Sequence, residues 1–393
     1  MADDYASVDV DLGMVAPATD HWKQIDALRE AHRFFRNTNG NYWVLTRYDD
    51  IREAFQNPAV FCNRSIVPTD PDPVYRFLPS YSDPPQHMKY RQTMNRWFAP
   101  AAVTKFSPEL QRLARETVAE VSADGATNYL KTFGDHFPVR GFLLSMGLPQ
   151  DNAEFFVDCV RLMSGGTDSP TDESPFMVGW NRVSEYWKST LDRRREEPLD
   201  VDVDFVTHIS RATMDGEPLP DVDILDIMNT LTLGSLDTLK SQLGWCMYHL
   251  ATHPEDRRRI VADPSLIPGA VEEFLRAYPI VSMARKLTDD YDFHGCPMKK
   301  DDMVLLSIQS ATRDPRVFPE PENVVIDRSP NRHIAFGASE HRCLGSHFAR
   351  AELLYALQEW HAAIPEYEIG SDEPLMAHGG QVSLLTLPLV WNV

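Results

Sequence analysis

The sequence predicts a mainly α-helical protein with small β-sheets. Apolar residues recur at helical spacing through most of residues 85–280, which favours amphipathic helices. Short alternating runs typical of strands are confined to stretches such as 291–294 and 303–306. A long proline-containing stretch, 311–342, follows neither period, and coils of that length are usually functional. With 43% hydrophobic residues, the chain can bury a large core.

The elements are predicted in order along the chain. An acidic tail is expected over residues 1–18, followed by a single domain over 19–393. Helices are expected at 22–35 and 48–56, with a strand at 42–45 between them and an irregular, proline-rich segment at 62–82. Loops interrupt the helical region at 165–170 and 215–218, and a strand hairpin is expected at 382–390.

Composition excludes several classes of protein. The formal net charge of −20 argues against nucleic acid or an anionic membrane as a partner. Neither a signal peptide nor an apolar run of membrane-spanning length is evident, so a cytoplasmic location is expected. The five cysteines are widely spaced, which disfavours a disulfide framework or a zinc site and predicts that most of them are buried free thiols.

Cys343 differs from the other cysteines because of its neighbours. It ends a glycine-containing loop, and an amphipathic helical pattern follows at once. A thiolate at a helix N-terminus faces the positive end of the helix dipole, which lowers its pKa. Cys343 is therefore a candidate anionic metal ligand, and haem iron is a metal that accepts such a ligand.

Residues 336–345 resemble the haem-binding loop of the cytochrome P450 haem-thiolate monooxygenases, especially the bacterial camphor-hydroxylase type. Phe336 lies seven residues before Cys343, and Gly345 lies two residues after it. The resemblance implies a helix-rich triangular prism with small sheets, holding haem b through the thiolate of Cys343. Ser339 departs from the pattern, because the family usually has a second glycine there.

The predicted long helix at 221–250 contains an acid and a hydroxyl that are out of place in an apolar helix. The hydroxyl of Thr238 can bond the carbonyl of Gly234 and open the helix locally, where a diatomic ligand would fit. In isolation, an ordinary helix break with Asp237 facing solvent would be favoured. The resemblance implies instead that Asp237 and Thr238 deliver protons to bound dioxygen.

The resemblance also implies roles for residues that surround the cofactor. Glu273 and Arg276, joined by Arg328 from the coil, would form a structural cluster. Four residues would contact the haem propionates: His87, Arg91, Arg285 and His341. Taken singly, His87 and His341 could be ordinary surface histidines, and Arg91 and Arg285 could form ordinary salt bridges.

The sequence therefore predicts a monooxygenase that hydroxylates a small hydrophobic substrate such as a terpenoid, norisoprenoid or branched aliphatic. Electrons would come from NAD(P)H through a ferredoxin reductase and a small acidic ferredoxin, which would dock on a patch of cations. Those cations are Lys89, Arg96, Arg342, His347 and Arg350. The expected substrate contacts are Tyr75, Thr230, Leu233, Gly234, Val281, Met283 and Val382.

Four alternatives are open at this point. Tyr75 could equally be a tyrosine in a mobile loop, and Arg76 could pair with the carboxylate of a fatty acid. A peroxide-driven peroxygenase of the same fold is a rival, although the acid–alcohol pair argues against it. A haem-based sensor or carrier without turnover is another.

Overall fold

The computed structural model describes residues 5–163 and 174–393, so the loop predicted at 165–170 lies outside the described residues. The α-helices are α1 (Ala18–Ala31), α2 (Tyr48–Phe55), α3 (Gln86–Phe98), α4 (Pro100–Ala119), α5 (Asp135–Met146), α6 (Ala153–Met163), α7 (Pro175–Glu196), α8 (Phe205–Ser210), α9 (Asp221–Thr252), α10 (Pro254–Ala262), α11 (Ile267–Ala277), α12 (Ile308–Ala311) and α13 (Ser346–Ala363). A π-helical turn at Leu130–Gly134 and 3₁₀ turns at Gln150–Asn152, Pro264–Leu266 and Ser339–His341 complete the helical part.

The strands are short and belong to small sheets. They are β1 (Ala6–Val8), β2 (Val15–Pro17), β3 (Phe34–Asn37), β4 (Tyr42–Leu45), β5 (Phe61–Cys62), β6 (Ala126–Asn128), β7 (Thr213–Met214), β8 (Glu217–Pro218), β9 (Met283–Leu287), β10 (Tyr291–Phe293), β11 (Cys296–Met298), β12 (Met303–Leu306), β13 (Glu368–Ile369), β14 (Met376–His378), β15 (Ser383–Leu384) and β16 (Pro388–Val390). The largest sheet has the order β1-β3-β4-β12-β9-β5. This confirms the predicted class of a helical fold with minor sheet.

The central helix α9 belongs to two hydrophobic cores at once. Leu239 and Trp245 pack in the core that α11 and α13 share. Ile227 and Leu236 pack in the core that α3, α5 and α7 share. Because the N-terminal half of α9 is buried in one core and its C-terminal half in the other, the middle of the helix is held firmly, and a group placed there has a fixed position.

Three local predictions differ from the structure. The segment predicted as an N-terminal tail forms β1 and β2, which pair with β3 and β14. The first helix ends at Ala31, because the following apolar residues enter strand β3 and pair with β4. The C-terminal strands β15 and β16 pair with β14 and with β6 and β13, so the predicted hairpin between them is wrong.

In the described part of the chain, no helix has both the length and the apolar character needed to cross a membrane. The cysteines other than Cys343 are buried free thiols, as predicted.

Candidate active site

A cavity of about 310 Å³ lies beside the middle of α9. Its walls come from α3, α9, α13, the strand β9 and the coil that precedes α13. Most of the lining is apolar, with a few polar and cationic side chains, as is usual for a cofactor or small-molecule site. The cavity brings together residues from distant parts of the sequence, including His87, Thr238, Arg285 and Cys343.

Cys343 lies on the cavity wall at the end of a tightly turned loop. Its backbone N–H donates to the carbonyl of Phe336 at 2.9 Å, which closes the loop on itself. The turn requires left-handed backbone at Gly337, where φ is 74°, and at Ser339, where φ is 63°. Helix α13 begins at Ser346, three residues after the cysteine. The side chain of Cys343 is exposed to the cavity, so its sulfur is open to a bound group.

The thiol of Cys343 does not have the lowered pKa that its position before a helix predicted. Burial raises its pKa, and this effect outweighs the backbone N–H of Gly345 and the charges of Arg91, Arg342 and Arg350, which act in the opposite direction. The prediction was wrong because the sulfur lies deep in the protein, where desolvation of the anion dominates. A bound metal cation reverses this balance, since a coordinating thiol is deprotonated.

The imidazole and guanidinium groups of four residues meet at one side of the cavity, and none of them forms an ion pair with a described residue. The rings of His87 and His341 stack with centroids 3.7 Å apart, and each has a buried ring nitrogen without a hydrogen-bond partner in the described part of the chain. Arg285 is buried, and within the described residues it donates to the neighbouring carbonyl of Ala284 alone. Arg91 donates to the backbone carbonyl of Arg342.

The pKa values at this cluster are lowered mainly by burial and, for the histidines, also by neighbouring positive charges. Burial, reinforced by the charges of Arg91 and Arg285, lowers the pKa of His87 to about 4. Burial, followed by the charges of the neighbouring cations, lowers the pKa of His341 to about 2. Burial lowers the pKa of Arg285 to about 10. Buried cations are normally paired, so this cluster fits a dianionic group.

These observations fit haem b. The sulfur of Cys343 would be the proximal iron ligand. The two propionates would supply the anions that His87, Arg91, Arg285 and His341 lack. Phe336 and Gly345, the other two predicted haem contacts, also line the cavity. The ring of Phe336 is held by the guanidinium of Arg350, whose carbon lies 4.5 Å from the ring centroid.

On α9, the predicted hydroxyl–carbonyl bond is present. Thr238 Oγ1 donates to the carbonyl of Gly234 at 2.7 Å, and both residues line the cavity. The helix is continuous through this turn, so the predicted local opening is not seen. A Cβ at Gly234 would have no neighbour within 4 Å, because the cavity lies there. Asp237 is not among the residues that line the cavity, and its carboxylate contacts Gln381 instead.

The predicted cluster of Glu273, Arg276 and Arg328 is assembled and buried. Arg276 forms a bidentate pair with Glu273 at 2.8 and 2.9 Å, and Arg328 Nε lies 3.0 Å from the same carboxylate. The sequence reasoning missed Asn331, which also donates to Glu273. Both arginines donate further to backbone carbonyls of the coil, for example at Asn323. The cluster therefore holds the coil that leads to Cys343.

Of the predicted substrate contacts, Thr230, Gly234, Val281 and Met283 line the cavity. Thr230 Oγ1 donates to the carbonyl of Asp226, so its hydroxyl hydrogen is already used within the helix.

The other three predicted contacts, Tyr75, Leu233 and Val382, are not among the lining residues. Tyr75 packs against Phe77 and Trp180, and its hydroxyl lies 3.4 Å from Asp70. Leu233 packs in the core shared by α5 and α7, and Val382 is fully buried. Arg76, considered as a partner for a fatty-acid carboxylate, is instead paired with Asp223 and Asp226.

Several lining residues were not identified from the sequence. The apolar ones near the predicted contacts are Ile66, Pro79, Leu231, Ile280 and Ile308. Ser80 also lines the cavity, and its hydroxyl has no hydrogen-bond partner among the described residues. The only sequence signal for Ser80 was its place in the irregular segment before α3, which did not indicate a side-chain direction.

Most of the cations predicted to form the ferredoxin-docking patch already form ion pairs with carboxylates of this chain. Lys89 pairs with Asp215, and Arg96 pairs with Asp202. Arg350 is paired with Glu272, which also contacts His333. Arg342 is exposed and forms no ion pair with a described residue. It is therefore the strongest remaining candidate for a contact with an acidic partner.

Comparison with known proteins places this site in a family. The family model for cytochrome P450 matches residues 261–360, which include the Glu273 cluster and Cys343. A probable cytochrome P450 127A1 from Sinorhizobium fredii is 30% identical over 353 residues, covering 89% of this chain and 83% of that protein. A vitamin D(3) 25-hydroxylase from Pseudonocardia autotrophica is 29% identical, covering 85% and 84%. The crystal structure of cytochrome P450 CYP101C1 superposes with a TM-score of 0.90 at 26% identity, covering 100% of this chain and 98% of that chain.

Proposed function

The chain belongs to the cytochrome P450 family, as a monooxygenase of the bacterial camphor-hydroxylase-like type, and we propose that it hydroxylates a small hydrophobic substrate with electrons from a ferredoxin. Its cofactor is haem b with the thiolate of Cys343 as proximal ligand. The reaction is RH + O₂ + 2 e⁻ + 2 H⁺ → ROH + H₂O. The observation that carries the proposal is the convergence of Cys343, the unpaired cations and Thr238 on one cavity.

When bound, the haem activates dioxygen, and electron density from the thiolate favours cleavage of the O–O bond. The residues of this chain would deliver the protons and hold the groups that carry them in position. Thr238 donates its own hydrogen to Gly234, which leaves its oxygen free to accept a hydrogen bond from a water in the cavity. Asp237, which directly precedes Thr238 on the helix, would pass protons from solvent to that water. An ordered relay matters because hydrogen peroxide also carries two protons, so the place at which the protons are delivered decides between cleavage of the O–O bond and release of peroxide.

The cavity supports an uncharged and largely apolar substrate. Ile66, Pro79 and Val281 supply apolar surface, and Ser80 supplies a free hydroxyl that could bond one oxygen of the substrate. Arg76 does not support a fatty acid, because two carboxylates already compensate its charge. We therefore propose a terpenoid, a norisoprenoid or a branched aliphatic. The name of the Pseudonocardia relative gives vitamin D(3) as its substrate. Sequence identity at this level therefore does not identify the substrate of this chain.

The test is oxygen incorporation under ¹⁸O₂. The purified haem protein is supplied with a surrogate ferredoxin, its reductase, NADH and a panel of such hydrocarbons. The proposal predicts an alcohol that carries one ¹⁸O atom per molecule. Product formed only with added hydrogen peroxide would indicate a peroxygenase, and no product under either condition would indicate a sensor or carrier.

Substitution of Thr238 tests the proton relay. Thr238→Ala removes the hydroxyl and should raise the hydrogen peroxide released per NADH consumed, while the amount of bound haem stays the same. A coupling ratio equal to that of the wild type would contradict the relay assigned to Thr238.

A further inference from the structure

Gln381, which lies in the turn between β14 and β15, contacts the acid of the proposed relay. We propose that Gln381 is a positioning residue that holds the carboxylate of Asp237 in the orientation needed for proton delivery. The proposal rests on the relay role proposed for Asp237. It adds a residue that was not recognised in the sequence, since Gln381 lies 144 positions from Asp237.

The contact between the two side chains is direct. Gln381 Nε2 donates to Asp237 Oδ2 at 2.5 Å. The same nitrogen lies 3.3 Å from Ser241 Oγ, one helical turn further along α9. Ser241 Oγ donates its own hydrogen to the backbone carbonyl of Asp237 at 2.9 Å, so its oxygen can accept from the amide. The amide group of Gln381 therefore spans the carboxylate of Asp237 and the hydroxyl of Ser241.

The backbone on both sides of Gln381 is fixed. Gln309 Nε2 donates to the carbonyl of Gly380 at 2.8 Å. The N–H of Val382 donates to the carbonyl of Ile280 at 2.8 Å, and the carbonyl of Val382 accepts from the indole of Trp245 at 3.0 Å. The side chain of Val382 is fully buried. The amide donor thus projects from a rigid support rather than from a mobile loop.

A fixed donor matters because Asp237 can pass on a proton only when its carboxylate lies within hydrogen-bond distance of the next group in the relay. An aspartate side chain on a helix has several accessible rotamers, and a bond to a rigid partner selects among them. A small misplacement of a catalytic group has a large effect on rate, because proton transfer requires hydrogen-bond distances.

The test compares variants of the haem protein. Gln381→Met keeps the length of the side chain and removes the donor. Gln381→Lys keeps a donor at similar reach, and Ser383→Ala, two residues further along the same segment, is the matched control. The measurements are the division of electrons between product and hydrogen peroxide, kcat, KM and the solvent isotope effect on kcat.

Gln381→Met should lower kcat by about tenfold, short of the roughly 10²- to 10⁴-fold that a proton-transfer group itself supplies. The peroxide fraction and the solvent isotope effect should rise, while KM stays within error of the wild type. Gln381→Lys should recover most of the coupling, and Ser383→Ala should match the wild type. Combining Gln381→Met with Asp237→Asn should give no greater loss than Asp237→Asn alone.

Three results would overturn the proposal, and each has a different meaning. If Asp237→Asn uncouples the reaction but Gln381→Met does not, Gln381 has no positioning role while the relay stands. If neither substitution changes coupling, the relay through Asp237 fails as well. Losses that add in the double variant would show that Gln381 acts independently of Asp237, which also contradicts the proposal.

Discussion

At the scale of single residues, Ser339 combines an unfavourable backbone with a side chain that makes no hydrogen bond among the described residues. Its φ of 63° lies in the left-handed region, where a Cβ costs about 1 kcal/mol relative to glycine. The side chain is exposed, so nothing visible compensates that cost. The loop before Cys343 therefore stores a small strain at the position where the family usually has glycine.

Replacing this serine with glycine should relieve the strain. We expect Ser339→Gly to raise the free energy of unfolding by up to about 1 kcal/mol, because glycine adopts positive φ without the Cβ penalty. Chemical denaturation of the haem protein measures the change. Ser339→Ala is the control, since it keeps the Cβ and should give no gain. A glycine variant less stable than the alanine variant would contradict the account of this turn.

At this scale, a local motif was enough to indicate which residues lie on the cavity. The spacing of Phe336, Cys343 and Gly345 pointed to the loop that the structure places on the cavity. Gln381 and Asn331 were missed, because their importance comes from contacts with residues 144 and 58 positions away. The same limit explains Tyr75, whose direction is set by Phe77 and by aromatic rings on α7.

At the scale of elements, a buried carboxylate on α11 binds the coil between α12 and α13 through several hydrogen bonds. Glu273 on α11 accepts from Arg276, Arg328, Asn331 and the backbone of Val325. Its side chain is 0% exposed, so its charge depends fully on these donors. Apart from the 3₁₀ turn at Ser339–His341, this coil forms no helix or strand, so side-chain contacts such as this cluster must hold it.

Removing one cation from the cluster should destabilise the coil. Arg328→Leu leaves Glu273 under-compensated, and breaking a buried pair in this way costs about 3 kcal/mol. Denaturation should show this loss, and haem should dissociate faster because the coil leads to Cys343. Lys188→Ala, which breaks the exposed pair with Asp192, should leave the unfolding midpoint unchanged. Equal effects of the two substitutions would argue that the buried cluster does not hold the coil.

Element boundaries were predictable where the helical pattern is long. The central helix was expected over 221–250, and α9 runs from Asp221 to Thr252. The first helix was misplaced, because Phe34 and Phe35 continue an apolar pattern but pair as a strand with β4. Strand partners such as β6 for β16 lie far away in sequence, so local patterns could not identify them.

At the scale of the whole molecule, an acidic protein must present a positive surface to an acidic electron donor. The net charge is −20, and three of the five cations predicted for that surface are paired with carboxylates. Arg342 is exposed, and its neighbour in sequence is the iron ligand Cys343. Electrostatic steering of the proposed ferredoxin would therefore depend strongly on this one residue.

Reversing the charge of Arg342 should slow delivery of the first electron to the haem. Arg342→Glu should lower the rate of ferric haem reduction by ferredoxin, most strongly at low ionic strength, where charges are least screened. Stopped-flow absorbance at several salt concentrations measures this rate. Lys188→Glu, an equal charge change on α7, is the control. Identical salt dependence in the two variants would exclude Arg342 as a docking contact.

The most direct test of the whole account is the absorbance spectrum of the reduced protein with carbon monoxide. Bonding of the Cys343 thiolate to haem iron predicts the far-red Soret band that is peculiar to anionic sulfur ligation, and Cys343→Ala should abolish it. A Soret band at the position of histidine-ligated haem, or purified protein that carries no haem, would contradict the account.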